Sequence, residues 1–151
     1  MYLANSFMSD EKKQASQKPL ILVVEDHDDN LLLLSYALDS LGCKFICQTD
    51  SSNTLLVAKN YQPDLILLDI LLPGLSGLDV MRSLKCEPLT WHIPVVAVTA
   101  LAGRDQEERF LRAGFNDYIS KPYMLQDLEV IIYRLLQGKI APCSAFEVCQ
   151  E

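Results

Sequence analysis

Three short runs of apolar residues, each passing into a polar one, constrain what this chain can fold into. They are residues 20–25 (LILVVE), 65–68 (LILL, before Asp69) and 93–98 (IPVVAV, before Thr99). Each is too short to be a core helix and does not alternate, so each reads as a strand buried on both faces, the pattern of a parallel sheet covered by helices. Two weaker strands are expected at 44–48 (KFICQ), an edge position, and at 117–120 (DYIS).

Helical segments fill the gaps. Residues 28–41 open with acids and stop before Gly42; 51–60 has Ser51 as a candidate N-cap; 78–85 follows the turn PGLSG at 73–77. Residues 104–113 stop at Gly114, and 124–137 is amphipathic, with Leu128, Ile131 or Ile132, and Leu135 expected on its inner face. Five β–α units joined by right-handed crossovers predict an α/β domain, a doubly wound five-stranded parallel sheet of order 2-1-3-4-5 with helices on both faces. The domain is expected over 19–137, between a flexible N-terminal arm (1–18) and a short C-terminal tail (138–151) that opens irregularly and contains Pro142.

Composition narrows the function. Half the residues are hydrophobic, enough for a core, while 13 Lys and Arg against 20 Asp and Glu give a net charge of −7 without a basic run. Nucleic acid and anionic lipid are therefore poor partners. The stretch 65–72 is interrupted by Asp69 and too short to span a membrane, and the first 18 residues hold no signal-peptide core. Cys43, Cys47, Cys86, Cys143 and Cys149 are odd in number and match no zinc spacing. A cytoplasmic, reduced domain is expected.

Ligands of doubly wound sheets bind beyond the carboxyl ends of the strands. There the sequence puts Glu25 and Asp26, Asp69, Thr99 and Lys121. Asp69 is the hardest to explain as ordinary structure, because it interrupts a core segment and a buried carboxylate is costly unless paired or bound to a cation. Clustered carboxylates with oxygen-only ligands suit Mg²⁺, with Mn²⁺ as a substitute, and Thr99 and Lys121 suit phosphoryl oxygens. Asp69 is then the best-placed nucleophile for an aspartyl phosphate.

The segments ILVVEDHDDN (21–30), PDLILLDILLPGLSGLDVM (63–81), IPVVAVTA (93–100) and FNDYISKPY (115–123) resemble the receiver domain of two-component response regulators, whose fold is flavodoxin-like. In style they are similar to the stand-alone regulators of bacterial cell division. The resemblance implies that Asp69 is the phosphoacceptor. It implies Asp26 as a direct Mg²⁺ ligand, Glu25 as one acting through water, and the backbone carbonyl of Leu71 as a further ligand. Thr99 and Lys121 would bind the phosphoryl oxygens, Tyr118 would be the switch aromatic that follows Thr99, and Lys121–Pro122 is a place for a cis peptide. Ala100 would leave the site open, and Leu71 departs from the family's Met or polar residue, which bears on the dephosphorylation rate.

The implied function is a phosphorelay switch. A histidine kinase or histidine phosphotransfer protein phosphorylates Asp69, and a downstream protein partner responds. The chain catalyses only its own phosphorylation and dephosphorylation. A receiver cut from a larger hybrid kinase or regulator is the alternative. Helices 104–113 and 124–137 carry surplus apolar surface and are expected to form a partner or homodimer face. An aspartyl phosphatase would need a second acid where Leu71 stands, a flavin protein would not place acids in its phosphate loop, and a docking module that takes no phosphate would not need the full set of site residues.

Overall fold

The computed structural model describes residues 18–72, 74–100 and 103–137; the two arms, with Cys143 and Cys149, lie outside them. The elements run β1 (Leu20–Val24), α1 (Asp28–Ser40), β2 (Lys44–Gln48), a 3-10 turn (Ser51–Asn53), α2 (Thr54–Tyr61), β3 (Leu65–Asp69), α3 (Gly77–Cys86), β4 (Val95–Thr99), α4 (Arg104–Ala113), β5 (Asp117–Ser120) and α5 (Leu125–Leu135). The strands form one parallel sheet of order β2-β1-β3-β4-β5, as expected, with β2 at an edge.

The pleat explains the continuous apolar runs. Ile21, Val23, Leu65, Leu67, Val96 and Val98 point to one side and pack with Leu34 and Leu38 of α1 and Leu128 and Ile132 of α5. Leu22, Val24, Ile66, Leu68, Val95 and Ala97 point to the other and meet Ala58 of α2, Val80, Met81 and Leu84 of α3, and Phe110 of α4. Successive strand residues thus serve opposite cores, and each fully buried aliphatic side chain contributes about 1.5–3 kcal/mol. Polar residues have no place along such a strand. They fall at its end, where the ligand edge begins.

Two local readings are corrected. Ser51 is not a helix cap: the Asp50 carboxylate accepts from Ser52 N–H at 2.7 Å, and the Ser51 hydroxyl instead donates to the Leu75 carbonyl, tying the β2–α2 turn to the β3–α3 loop. The chain therefore starts as a 3-10 turn and becomes α-helical only at Thr54. On α5 the buried stripe is Leu128, Ile132 and Leu136, an i, i+4, i+8 row, while Ile131 and Leu135 are half-buried on its shoulder. The helix stops Gly42 and Gly114 take positive φ as expected, 76° and 108°.

The same β3–α3 loop depends on a glycine. Gly74 has φ 99°, and a Cβ there would lie 2.3 Å from Asp50 Oδ1 and 2.6 Å from Ser52 Oγ. Gly74→Ala is expected to lower stability by about 1–2 kcal/mol, read as a shift in urea midpoint, because it adds backbone strain and displaces the Asp50 cap. An unchanged midpoint would contradict this account of the loop.

Candidate functional site

Strand register brings the polar strand ends together. Val24 pairs with Leu68, Asp69 with Val98, and Thr99 with Ser120. The ladder continues past the strands: Glu25 N–H donates to the Gln48 carbonyl at 2.9 Å, Ile70 N–H to Val98 at 2.9 Å, and Lys121 N–H to Thr99 at 2.7 Å. The backbone beside each functional side chain is therefore fixed by the sheet.

Two carboxylates and one ammonium meet there. Lys121 Nζ donates to Asp69 Oδ2 at 2.6 Å and to both Glu25 oxygens at 3.0 and 3.2 Å. Glu25 and Asp69 are buried, with side chains only 4% and 6% exposed, whereas Lys121 keeps 21%. The Leu71 N–H closes on Asp69 Oδ1 at 3.0 Å, and Asn30 Nδ2, from the first turn of α1, donates to Glu25 Oε1 at 2.5 Å.

This environment pushes the acids apart. Burial, followed by the neighbouring Asp69, raises the Glu25 pKa above the ordinary carboxylate value, against the pull of Asn30 and Lys121. Burial acts on Asp69 in the same direction, but hydrogen bonding to Glu25, Lys121 and the Leu71 N–H outweighs it and holds Asp69 low. Lys121 is raised: its desolvation is overcome by the two carboxylates. Asp69 is thus the more readily ionised of the two carboxylates, and the carboxylate is the form a nucleophile needs.

Asp26 is placed differently. It is exposed and pairs with His27 Nδ1 at 2.8 Å, and ligand atoms of Glu25, Asp26 and His27 lie within 4.8 Å of one another. The donor set fits a hard cation. Two buried carboxylates against one ammonium leave net negative charge, and a third carboxylate stands at the rim.

Thr99 is fully buried at the end of β4. Tyr118 is half-buried on β5, paired in register with Ala97, and its hydroxyl donates to Glu107 Oε2 of α4 at 3.3 Å. It therefore links the strand next to Thr99's to a surface helix. The Lys121–Pro122 peptide is cis.

Sequence reasoning assigned no role to Asn30, Tyr123 or Glu107. Tyr123 walls the small cavity beside Glu25, Asp69 and Val98. The available signals were position: Asn30 opens the helix after the acidic pair, and Tyr123 follows Lys121-Pro122. Neither shows its contact without the fold.

Comparison with known proteins is consistent across sequence and structure. The model of the response regulator receiver domain matches residues 21–133. The polar-differentiation response regulator DivK of Brucella anthropi is 41% identical over 102 residues, covering 68% of this chain and 83% of that protein. The response regulator PleD of Caulobacter vibrioides is also 41% identical over 102 residues, but the match spans only 22% of its length. In structure, the chain is similar to the receiver domain of a sensor histidine kinase from Pseudomonas aeruginosa, determined with a magnesium ion coordinated in its active-site cleft. That likeness has a TM-score of 0.73 and 31% identity, covering 80% of this chain and 99% of the other. Among the described residues no helix is long and apolar enough to cross a membrane. With its sheet order, its strand-end residues and a match over most of its length, the chain belongs to the response regulator receiver domain family.

Proposed function

We propose that the chain is a phosphorylation switch in which Asp69 receives a phosphoryl group from a histidine kinase or histidine phosphotransfer protein. The observation that carries this reading is the Lys121 ammonium bridging Asp69 and Glu25, which keeps Asp69 ionised in a buried position. An Asp69 carboxylate oxygen bonds to phosphorus as the phosphorus–nitrogen bond of a donor phosphohistidine breaks, and the imidazole leaves with the bonding electron pair. Lys121 transfers its hydrogen bond from Asp69 to a phosphoryl oxygen, and the Thr99 hydroxyl donates to another. Glu25, Asp26, Asp69 and the Leu71 carbonyl are the residues to hold Mg²⁺, or Mn²⁺ in its place, which neutralises phosphoryl charge when bound. Self-phosphorylation and self-dephosphorylation are the only reactions the chain catalyses on this reading.

Movement of Thr99 toward the phosphoryl group opens space for Tyr118 to leave Glu107 and turn inward, which changes the surface of α4 and β5. A donor fits the other side. On α1, exposed Leu33 lines a groove of about 420 Å³ that reaches Ala100, Lys121 and Tyr123, and Leu32 and Tyr36 are exposed on the same helix. Exposed Leu111 on α4 and Val130 on α5 support a downstream partner or a second copy at a separate surface. Residues 19–137 form the working unit, in the cytoplasm, and nucleic acid is not a partner.

Incubation of the full chain with acetyl phosphate and Mg²⁺ is expected to add one phosphoryl group by intact mass. The adduct should be base-labile, absent in EDTA, and map to the peptide containing Asp69. No adduct under conditions of demonstrated Mg²⁺ binding, or an adduct mapping elsewhere, would overturn the assignment.

A further inference from the structure

A second concave site lies away from the strand-end acids, between the flanks of α3 and α4. It is an open groove of about 450 Å³ lined by Leu78, Arg82, Lys85, Cys86, Arg109, Arg112 and Ala113. Four of the chain's 13 basic residues thus face one groove in a protein of net charge −7. Arg82 and Lys85 are spaced i, i+3 on α3, as are Arg109 and Arg112 on α4, so each pair shares a helix face.

Part of this has an ordinary explanation. Lys85 and Arg112 stand in the last turns of their helices, where a cation offsets the helix dipole. Lys85 also donates to the Trp91 carbonyl at 3.1 Å. Arg109 has no such account. Arg82 pairs with Asp79 at 3.0 Å and Arg112 with Glu108 at 3.6 Å, both highly exposed contacts that are readily exchanged. Arg109 makes no hydrogen bond or ion pair among the described residues. Three arginines and a lysine lining a groove within the size range of small-molecule sites, with Leu78 and Ala113 also in its wall, match a phosphate chain carried by a compact ligand once the exposed Arg82 and Arg112 exchange their surface partners for it. The chain's overall negative charge does not forbid this, since a Debye length of about 8 Å confines the relevant field to the groove.

We infer that the α3–α4 groove binds a phosphate-bearing small molecule, its phosphate chain on Arg82, Arg109 and Arg112. A nucleoside triphosphate and free inorganic polyphosphate share that chemistry, and the test separates them. The full chain in EDTA, which keeps metal–phosphate complexes from forming, is titrated by calorimetry with GTP and with inorganic tripolyphosphate. Saturable binding of at least one probe, with Kd below about 1 mM, is expected. The Arg82→Ala/Arg109→Ala double variant should weaken it by about tenfold or more, while Arg104→Ala, outside the groove, should not. Bound ligand should also slow alkylation of exposed Cys86 relative to the other thiols, read by peptide mapping. Tighter binding of GTP assigns a nucleotide, and equal binding assigns the phosphate chain alone; either supports the site. Absence of saturable binding by both probes, equal binding by the double variant, or binding of a poly-glutamate peptide in place of both would overturn it. Melting curves of the double variant check that loss of binding is not loss of fold, and Cys86 protection in the wild type gives an independent reading.

Discussion

Asp69→Asn is expected to abolish phosphoryl uptake from acetyl phosphate while leaving the protein folded. A carboxamide has no anionic oxygen to attack phosphorus, so the rate should fall by at least about 10³-fold, to the background of the assay. The fold should hardly notice. The amide oxygen can still accept from the Leu71 N–H, now 3.0 Å from Asp69 Oδ1, and the Lys121 ammonium keeps Glu25 as its partner. One of two adjacent buried carboxylates is gone, which relieves Glu25 of the repulsion that helps raise its pKa. Stability should therefore stay within about 1 kcal/mol of wild type. Retention of an adduct at another residue by the variant would remove Asp69 from its proposed role. A large loss of stability would show that the carboxylate is needed for folding and would make the chemical result uninformative by itself.

Lys121→Met is expected to do the reverse, with a stability cost that depends on metal. Methionine fills a similar volume without charge, so Glu25 and Asp69 are left as buried neighbours with no internal counter-ion. Breaking a buried pair costs about 3–5 kcal/mol; with Lys121 partly exposed, a loss of about 2 kcal/mol is the better expectation, or a melting temperature about 8 °C lower in EDTA. A divalent cation can take over the neutralisation, so Mg²⁺ should restore most of the loss and bind the variant more tightly than wild type. The pH dependence has a definite sign. Glu25 already sits above its ordinary value of 4.5, and removal of the ammonium raises it further. A carboxyl group with a raised folded-state pKa binds its proton more tightly when folded, so the deficit is present at pH above that pKa and closes as pH falls through it. The gap to wild type should be wider near about pH 8 than near about pH 5. If the variant melts equally low with and without Mg²⁺, the ammonium is not acting as the internal counter-ion.

The two variants separate what Lys121 and Asp69 do. With Asp69→Asn, chemistry is lost and the electrostatic strain falls. With Lys121→Met, the proposed nucleophile remains but its neighbour's charge is uncompensated, and on the proposed mechanism phosphoryl oxygens lose a donor. Phosphorylation of Lys121→Met should therefore be slowed rather than abolished.

Much of the architecture was legible before any coordinates. Continuous apolar runs can occur in short strands only if both faces are covered, so LILVV, LILL and VVAV implied a sheet with helices on each side, and crossover handedness reduced its order to 2-1-3-4-5. The strand ends followed, because Glu25, Asp69 and Thr99 stand where those runs stop. Local hydrogen bonding was less legible. Ser51 and Asp50 are equally plausible caps in sequence, and only the approach of the Leu75 carbonyl decides that the serine turns away from its own helix. The sequence leaves the inner stripe of α5 open between Ile131 and Ile132 and puts Leu135 where Leu136 is buried, because 128, 132, 136 and 128, 131, 135 are both helical spacings, and the choice depends on how the helix rolls against β5 and α1.

What the sequence determines by itself is which faces are buried, since burial is written as short-range periodicity. It therefore settled the sheet, its order and the edge on which the polar residues gather. Which of those residues touch is a different kind of fact. Lys121 and Glu25 are 96 positions apart and Lys121 and Asp69 are 52, and their contact depends on the register of four strands and on a low-dielectric site in which one ammonium must serve two carboxylates. The basic groove shows the same division. No basic run exists along the chain, yet two i, i+3 pairs on separate helices face one another once both helices lie on the sheet. Charge acts through distance in space, and only the tertiary structure decides those distances.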